Sequence, residues 1–274
     1  MFVGLLTAPL RDWNFARIVE WASKNGFKGL EVAVSPSSKQ ISIDHVLKGG
    51  AGEVRRELAD KDVEITSLAF YSIKILESSE DQKFLKKVIE AASTLDVEVV
   101  CTLVGGPKEG KDKHQTIMED FPQVFGPIVD YAKDNDVKIA FENWFATNLQ
   151  GLDHFETLLK ALPSDVLGFN FDPSHLFWQQ IDYIEAVHRF GDKIFHTHAK
   201  DTEVLPFKLR ELGVLGRGWW RYRIPGWGGI NWPAYITALK EVGYDYVLSI
   251  EHEDPFFGAE EGFLKGKDYL QKLL

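Results

Sequence analysis

A chain of 274 residues with 45% hydrophobic and 26% charged residues has the apolar material for a large buried core and the balance of an ordinary globular protein. Its 41 Asp and Glu against 31 Lys and Arg give a net charge of −10, which argues against nucleic acid or an anionic membrane surface as partner, because phosphate binding relies on clustered Lys and Arg that release counterions. A single cysteine excludes an internal disulfide, and the opening MFVGLLTAPLRDW lacks both a basic n-region and the length of a membrane span, so a reducing cytoplasm is the expected setting.

From the N-terminus onward, short apolar runs alternate with longer amphipathic stretches, the pattern of βα units around a parallel sheet. Strands are predicted over Phe2-Leu6, Gly29-Val34, Glu64-Phe70, Glu98-Gly105, Lys138-Asn143, Leu167-Asp172, Ile194-Lys200 and Tyr246-His252. Helical patterns lie between them, over Phe15-Lys24, Glu53-Lys61, Lys83-Leu95 and Phe121-Asn135. Asn25-Gly26 and Val242-Gly243 fall where helix C-caps are expected. Cys101 sits inside the apolar run Val99-Leu103 and reads as a small core residue.

About eight such units, with no Pro/Ser/Gly-rich linker between them, predict one domain over residues 1–274, an α/β chain folded as a single (β/α)8 TIM barrel. The competing architecture, an open doubly wound sheet, lacks its usual Gly-rich turn after the first strand, where Leu6-Thr7-Ala8-Pro9 stands instead. One interval is unusually long. Between Asp201 and the helix expected near Trp232 runs RGWWRYRIPGWGG, and long loops in compact domains are more often functional than idle.

The exits of the last four strands carry the chemistry. KIAFEN stops at Glu142, GFNFDPSH at Asp172 and His175, IFHTHAKD at His198, and YVLSIEHED at Glu251. The steps from 142 to 172 and from 172 to 198 each match one βα repeat, while the step from 198 to 251 contains the long interval. In a barrel all strand C-termini open on one face, so these side chains converge at one mouth. Two glutamates, an aspartate and a histidine make an oxygen-rich site for one divalent cation, with Mn²⁺ the first expectation and Mg²⁺, Co²⁺ or Zn²⁺ as alternatives. Each residue also has a plain structural reading. Asp172 caps a helix begun by Pro173, His198 is a satisfied core histidine, Glu142 pairs with a neighbouring base, and Glu251 belongs to a solvated acidic loop with Glu253 and Asp254. Four successive strand exits with ligand-type side chains outweigh those readings taken together.

With Glu142-Asn143, Asp172-Pro-Ser-His175, His196-Thr-His198-Ala-Lys-Asp201, Pro225-Gly-Trp-Gly with Ile230 and Trp232, and Ile250-Glu251-His-Glu, the chain resembles the xylose isomerase-like TIM-barrel superfamily of sugar phosphate isomerases and epimerases over essentially its whole length. Similarity to its ketose 3-epimerases implies that Glu142, Asp172, His198 and Glu251 bind one metal, that the two glutamates move protons through a cis-enediolate, and that His175 contacts substrate. The expected partner is a small sugar or polyol, and homo-oligomerisation is left open.

Residue chemistry fits that expectation, since one carboxylate can take a proton from one face of a carbon and the other return it to the opposite face. Trp144, Trp178, Trp219, Trp220 and Trp227 are candidates to lie against a sugar, and Arg217, Arg221 and Arg223 to bind an anionic group, with loop packing and solvated charge as the competing readings. His196 reads equally as support for His198 or as structural, and Lys200 and Asp201 as orienting groups or salt-bridge partners. A lyase, either a keto-inositol dehydratase or an eliminase on oxidised glycosides, is the alternative reaction. A non-catalytic sugar-binding barrel ranks below it. So does an apurinic-site endonuclease, because its further histidines are missing where Ser67-Tyr71, Thr102-Gly106 and Trp220-Arg223 stand.

Overall fold

The computed structural model describes residues 1–274 and contains ten strands. They are β1 (Phe2–Leu6), β2 (Gly29–Ala33), β3 (Glu64–Phe70), β4 (Val99–Thr102), β5 (Lys138–Glu142), β6 (Leu167–Phe171), β7 (Ile194–Ala199), β8 (Asp201–Val204), β9 (Trp220–Arg223) and β10 (Val247–Ile250). Strands β1 to β7 and β10 pair in parallel around a closed barrel, with β10 seated between β7 and β1. The closed ring rules out the open doubly wound sheet.

Each strand alternates between two environments. Side chains facing outward join a large apolar layer under the helices, including Leu5, Leu30, Val100, Ile139 and Phe169. Those facing inward are mostly small: Ala69, Val99, Cys101 and Ala140, with the larger Leu6, form the apolar plug of the barrel interior. Small inward residues leave room above the plug for a layer of polar side chains at the C-terminal mouth.

The helices follow the expected spacing. Phe15–Lys24 buries Phe15, Ile18, Val19 and Ala22 on one stripe, and Asn14 caps it by accepting from the Arg17 N–H. It ends at Gly26, whose φ of 73° suits the left-handed turn that only glycine adopts cheaply. The helices placed by sequence at 53–61 and 83–95 begin earlier, at Ala51 and Ser79, the latter because Ser78 accepts from the Asp81 N–H and so sets the start.

Close approach explains one barrel glycine. A Cβ on Gly168 would lie 2.3 Å from the Lys193 carbonyl oxygen and 2.6 Å from the Phe195 ring. Gly168→Ala is therefore expected to destabilise the fold by about 1–3 kcal/mol through overpacking, read by urea denaturation.

The long interval is not a plain loop. Strands β8 and β9 form an antiparallel ribbon joined by the helix Pro206–Leu212. Its return to the barrel is organised by Asp201, whose carboxylate accepts from the Thr202, Gly226 and Ile230 N–H groups and from Trp232 Nε1. A Cβ at Gly228 would sit 2.3 Å from Asp201 Oδ1, which accounts for glycine at that point of the Pro-Gly-Trp-Gly turn. No helix of the chain is long and apolar enough to cross a membrane.

Candidate metal centre

Glu142 ends β5, Asp172 follows β6, His198 lies in β7 and Glu251 follows β10, so four neighbouring strands of the ring deliver one side chain each. One ligand-type atom from each lies within 4.8 Å of all the others. His198 Nδ1 is 3.0 Å from Glu251 Oε2, 3.7 Å from Glu142 Oε1 and 3.8 Å from Asp172 Oδ2.

Local structure positions these atoms. Asn143 clamps two strand exits together, its amide donating to the Asp172 carbonyl at 2.9 Å while its Oδ1 accepts from the Asp172 N–H at 2.7 Å. The capping role of Asp172 is seen in the structure. Its Oδ1 accepts from the Ser174 N–H and caps the helix Pro173–Phe177, which leaves Oδ2 aimed at the cluster.

His198 is fixed by its other nitrogen. Nε2–H donates to Glu31 at 3.1 Å, and Ser249 Oγ and the Tyr71 hydroxyl donate to the same carboxylate. Glu31 is wholly buried in β2; burial pushes its carboxyl up, but the charge of His198 holds it down at about 2. This anionic anchor fixes a proton on Nε2, so that Nδ1 is the nitrogen that can give up its proton and turn a lone pair to the cluster. Glu31→Gln is expected to lower metal affinity by about 10–100-fold, measured by competition with a chromogenic chelator.

Two buried atoms, His198 Nδ1 and Asp172 Oδ2, make no hydrogen bond within the protein. Buried polar atoms are rarely left so, and a divalent cation shared with Glu142 and Glu251 would satisfy both. The donor set, three carboxylates and one imidazole, therefore fits such an ion.

Charge is balanced from one side. Lys200, almost fully buried, places its ammonium 2.5 Å from Glu251, 3.0 Å from Glu253 and 3.2 Å from Asp172. Burial works against ionisation of Glu142 and Asp172, but His175, His198 and Lys200 hold both carboxyls well below their ordinary range. Glu251 moves the other way, since burial and the nearby Glu142 outweigh the pull of Lys200 and His198. Burial also opposes charge on His198, but Glu31 and Glu251 raise its pKa well above that of a free imidazole.

Above the cluster opens a cavity of about 450 Å³ lined by Glu142, His175, Lys200, Glu251 and Glu253 and by a wall of apolar and aromatic side chains. His175 links the two regions. Its Nε2 is 3.1 Å from Glu142 Oε1 and its Nδ1 2.8 Å from the Tyr222 hydroxyl. Trp144 lines the cavity, whereas Trp178 stacks behind Trp220 with centroids 4.5 Å apart, Trp219 is buried and Trp227 faces solvent.

Arg221 and Arg223 are not brought to the cavity. Both pair with Glu203, and Arg223 also with Asp254. The period of two along β9 sends Trp220 and Tyr222 to the cavity and the two arginines to the opposite side of the ribbon. Arg217 is exposed. His196 lies deeper in the barrel, bonded to Asn170 and Thr66, where burial lowers its pKa to about 4 and keeps it neutral.

Glu31, Tyr71, Ser249 and Tyr222 were not singled out as site residues from sequence. Glu31 had a usable signal, a lone carboxylate in the apolar strand Gly29–Ala33.

Comparison with known proteins agrees with this architecture. The chain is 28% identical to an inosose isomerase of Bacillus velezensis over 254 residues, covering 88% of this chain and 84% of that protein. It is 26% identical to an inosose dehydratase of Clostridium botulinum over 285 residues, covering 96% and 90%. Among solved structures, an IolI protein with a bound zinc atom superposes with a TM-score of 0.76 at 23% identity, covering 100% of this chain and 99% of that one. The model of the xylose isomerase-like TIM barrel matches residues 19–273, and the chain belongs to that family.

Proposed function

We propose that the protein is a divalent-metal-dependent isomerase or epimerase that moves a proton next to the carbonyl of a sugar or polyol. The observation that carries this reading is the pair Glu142 and Glu251, held on strands three apart on either side of His198 Nδ1 and Asp172 Oδ2, which make no hydrogen bond within the protein, at the floor of a cavity. A divalent cation, when bound by Glu142, Asp172, His198 and Glu251, supplies Lewis-acid stabilisation of the negative charge that develops on the substrate carbonyl oxygen. The solved IolI structure with its zinc atom supports Zn²⁺, and nothing in this donor set favours the manganese expected from sequence.

The protein's own groups supply the rest. Glu251, which lines the cavity, is placed to take a proton from one face of the reacting carbon, and Glu142, on the other side of the mouth, to return one to the opposite face. Lys200 keeps three neighbouring carboxylates, Asp172, Glu251 and Glu253, from repelling one another and an incoming electron-rich substrate. The aromatic wall gives the cavity an apolar side beside the reacting carbon.

A second outcome of the same proton removal, expulsion of a β-hydroxyl, is favoured by one observation. His175 lines the cavity, and its hydrogen bond to Tyr222 holds the ring where it can protonate a departing oxygen. The relative named inosose dehydratase supports that reading.

The test is metal-loaded protein with ketoses and keto-inositols in D₂O, followed by NMR. Metal-dependent exchange with an inverted or isomeric product establishes the isomerase or epimerase; exchange with loss of water establishes the dehydratase. No exchange with any of these compounds in protein that holds metal counts against both.

A further inference from the structure

The cavity divides into two chemistries. Glu142, His175, Lys200 and Glu251 form one contiguous polar cluster within hydrogen-bonding distance of one another. Away from it stand Ile73, Leu103, Trp144, Phe145 and Trp220. These are contiguous as well: the Phe145 ring is 6.1 Å from Trp144 and 5.9 Å edge-on from Trp220. The two regions meet at His175 and Tyr222, whose rings are 5.4 Å apart.

This distribution constrains what fits. Ile73, Leu103 and Phe145 offer no side-chain hydrogen bond, so each hydroxyl of a polyol placed against them loses water without replacement. A cavity of about 450 Å³ also leaves space beyond the part of a substrate that reaches the carboxylates. Trp220 is held rigid for contact on the cavity side, because Trp178 stacks on it at an interplanar angle of 12° and is itself wedged edge-on by Phe145 at 5.0 Å. A preformed aromatic face costs little entropy on binding.

We propose that the substrate carries a planar apolar group, an aryl ring or similar unsaturated substituent, next to its carbonyl-and-hydroxyl portion, and that Trp220 selects for it. This inference rests on the reading of the carboxylate cluster given above. The polar portion reaches the floor between Glu142 and Glu251, while the planar group lies along Trp220 and Phe145.

Two small probes test it: hydroxyacetone and 2-hydroxyacetophenone, which share a carbonyl beside a hydroxyl and differ by a phenyl ring. Each is titrated by ligand-observed NMR into the whole zinc-loaded chain. The aryl ketone is expected to bind at least about tenfold more tightly. Trp220→Phe, which retains an aromatic face, keeps the preference, and Trp220→Ala, checked for zinc content and melting temperature, brings the ratio of affinities close to one. Equal affinities in the parent protein, binding of neither probe, or a preference that survives in a folded, zinc-bearing Trp220→Ala protein overturns the inference. Ketose exchange in D₂O reports separately on the carboxylate cluster. Exchange without aryl preference removes this inference alone, whereas absence of both removes the underlying reading too.

Discussion

Glu251→Gln is expected to lower turnover by about 10²–10⁴-fold, the usual worth of a positioned acid–base group. The substitution conserves volume and one side-chain oxygen, so barrel packing is preserved and Lys200 still has Asp172 and Glu253 as partners. What disappears is the ability to accept a proton. Glu251 is suited to that task because its side chain keeps 15% exposure at the cavity and lies across the mouth from Glu142. Glu142→Gln should give a loss of similar size for the return step. The informative readout is exchange in D₂O at saturating metal, with metal content determined in parallel. A Glu251→Gln protein that exchanges at the parental rate would exclude this residue from the proton path.

Asp172→Ala is expected to abolish metal retention through dialysis. The substitution removes one of the two buried atoms that make no hydrogen bond within the protein, and it also uncaps the helix that carries His175. A stability assay separates the two effects. In the parent protein, metal at about 1,000 times its Kd adds about 4 kcal/mol of stability by mass action, seen as a concentration-dependent rise in Tm. The variant should begin lower by about 0.5–2 kcal/mol for the lost cap and show no such rise. Metal uptake should also release about one proton near neutral pH. Glu31 and Glu251 hold His198 protonated well above the ordinary imidazole pKa, and Nδ1 must give up that proton to ligate. Affinity therefore increases with pH until the His198 pKa is passed, and binding enthalpies measured in buffers of different ionisation heat reveal the released proton.

The barrel was legible because its signal is periodic. Each apolar run is long enough to be a strand, each helix presents an apolar stripe, and Gly26 and Gly243, both at positive φ, follow helices where the sequence places them. Strand-exit chemistry was legible for the same reason: once the strands are placed, Glu142, Asp172, His198 and Glu251 must meet at one face. Groups that act across the barrel were harder. Glu31 reaches His198 from a strand separated by 167 positions in the chain, and no local pattern encodes that meeting.

The β8–β9 ribbon was hidden for another reason. A helix and a glycine-containing bend take the place of a tight turn between its strands, so no short hairpin signal marks it. Read as loop, Arg221 and Arg223 looked as available as Trp220 and Tyr222. The strand alternation separates them, and Glu203 and Asp254 then neutralise the arginines away from the cavity.

Asp201 gives that ribbon an architectural independence. Four donors from residues 202 to 232 converge on one buried carboxylate, so the excursion leaves and rejoins the barrel at a fixed gate. Glu142, Asp172, His198 and Glu251 all lie outside it. The segment between Asp201 and Trp232 is thus a cassette: its aromatic face can be exchanged, by descent or by grafting, to offer new selectivity while the cluster of ligand-type atoms beneath stays intact.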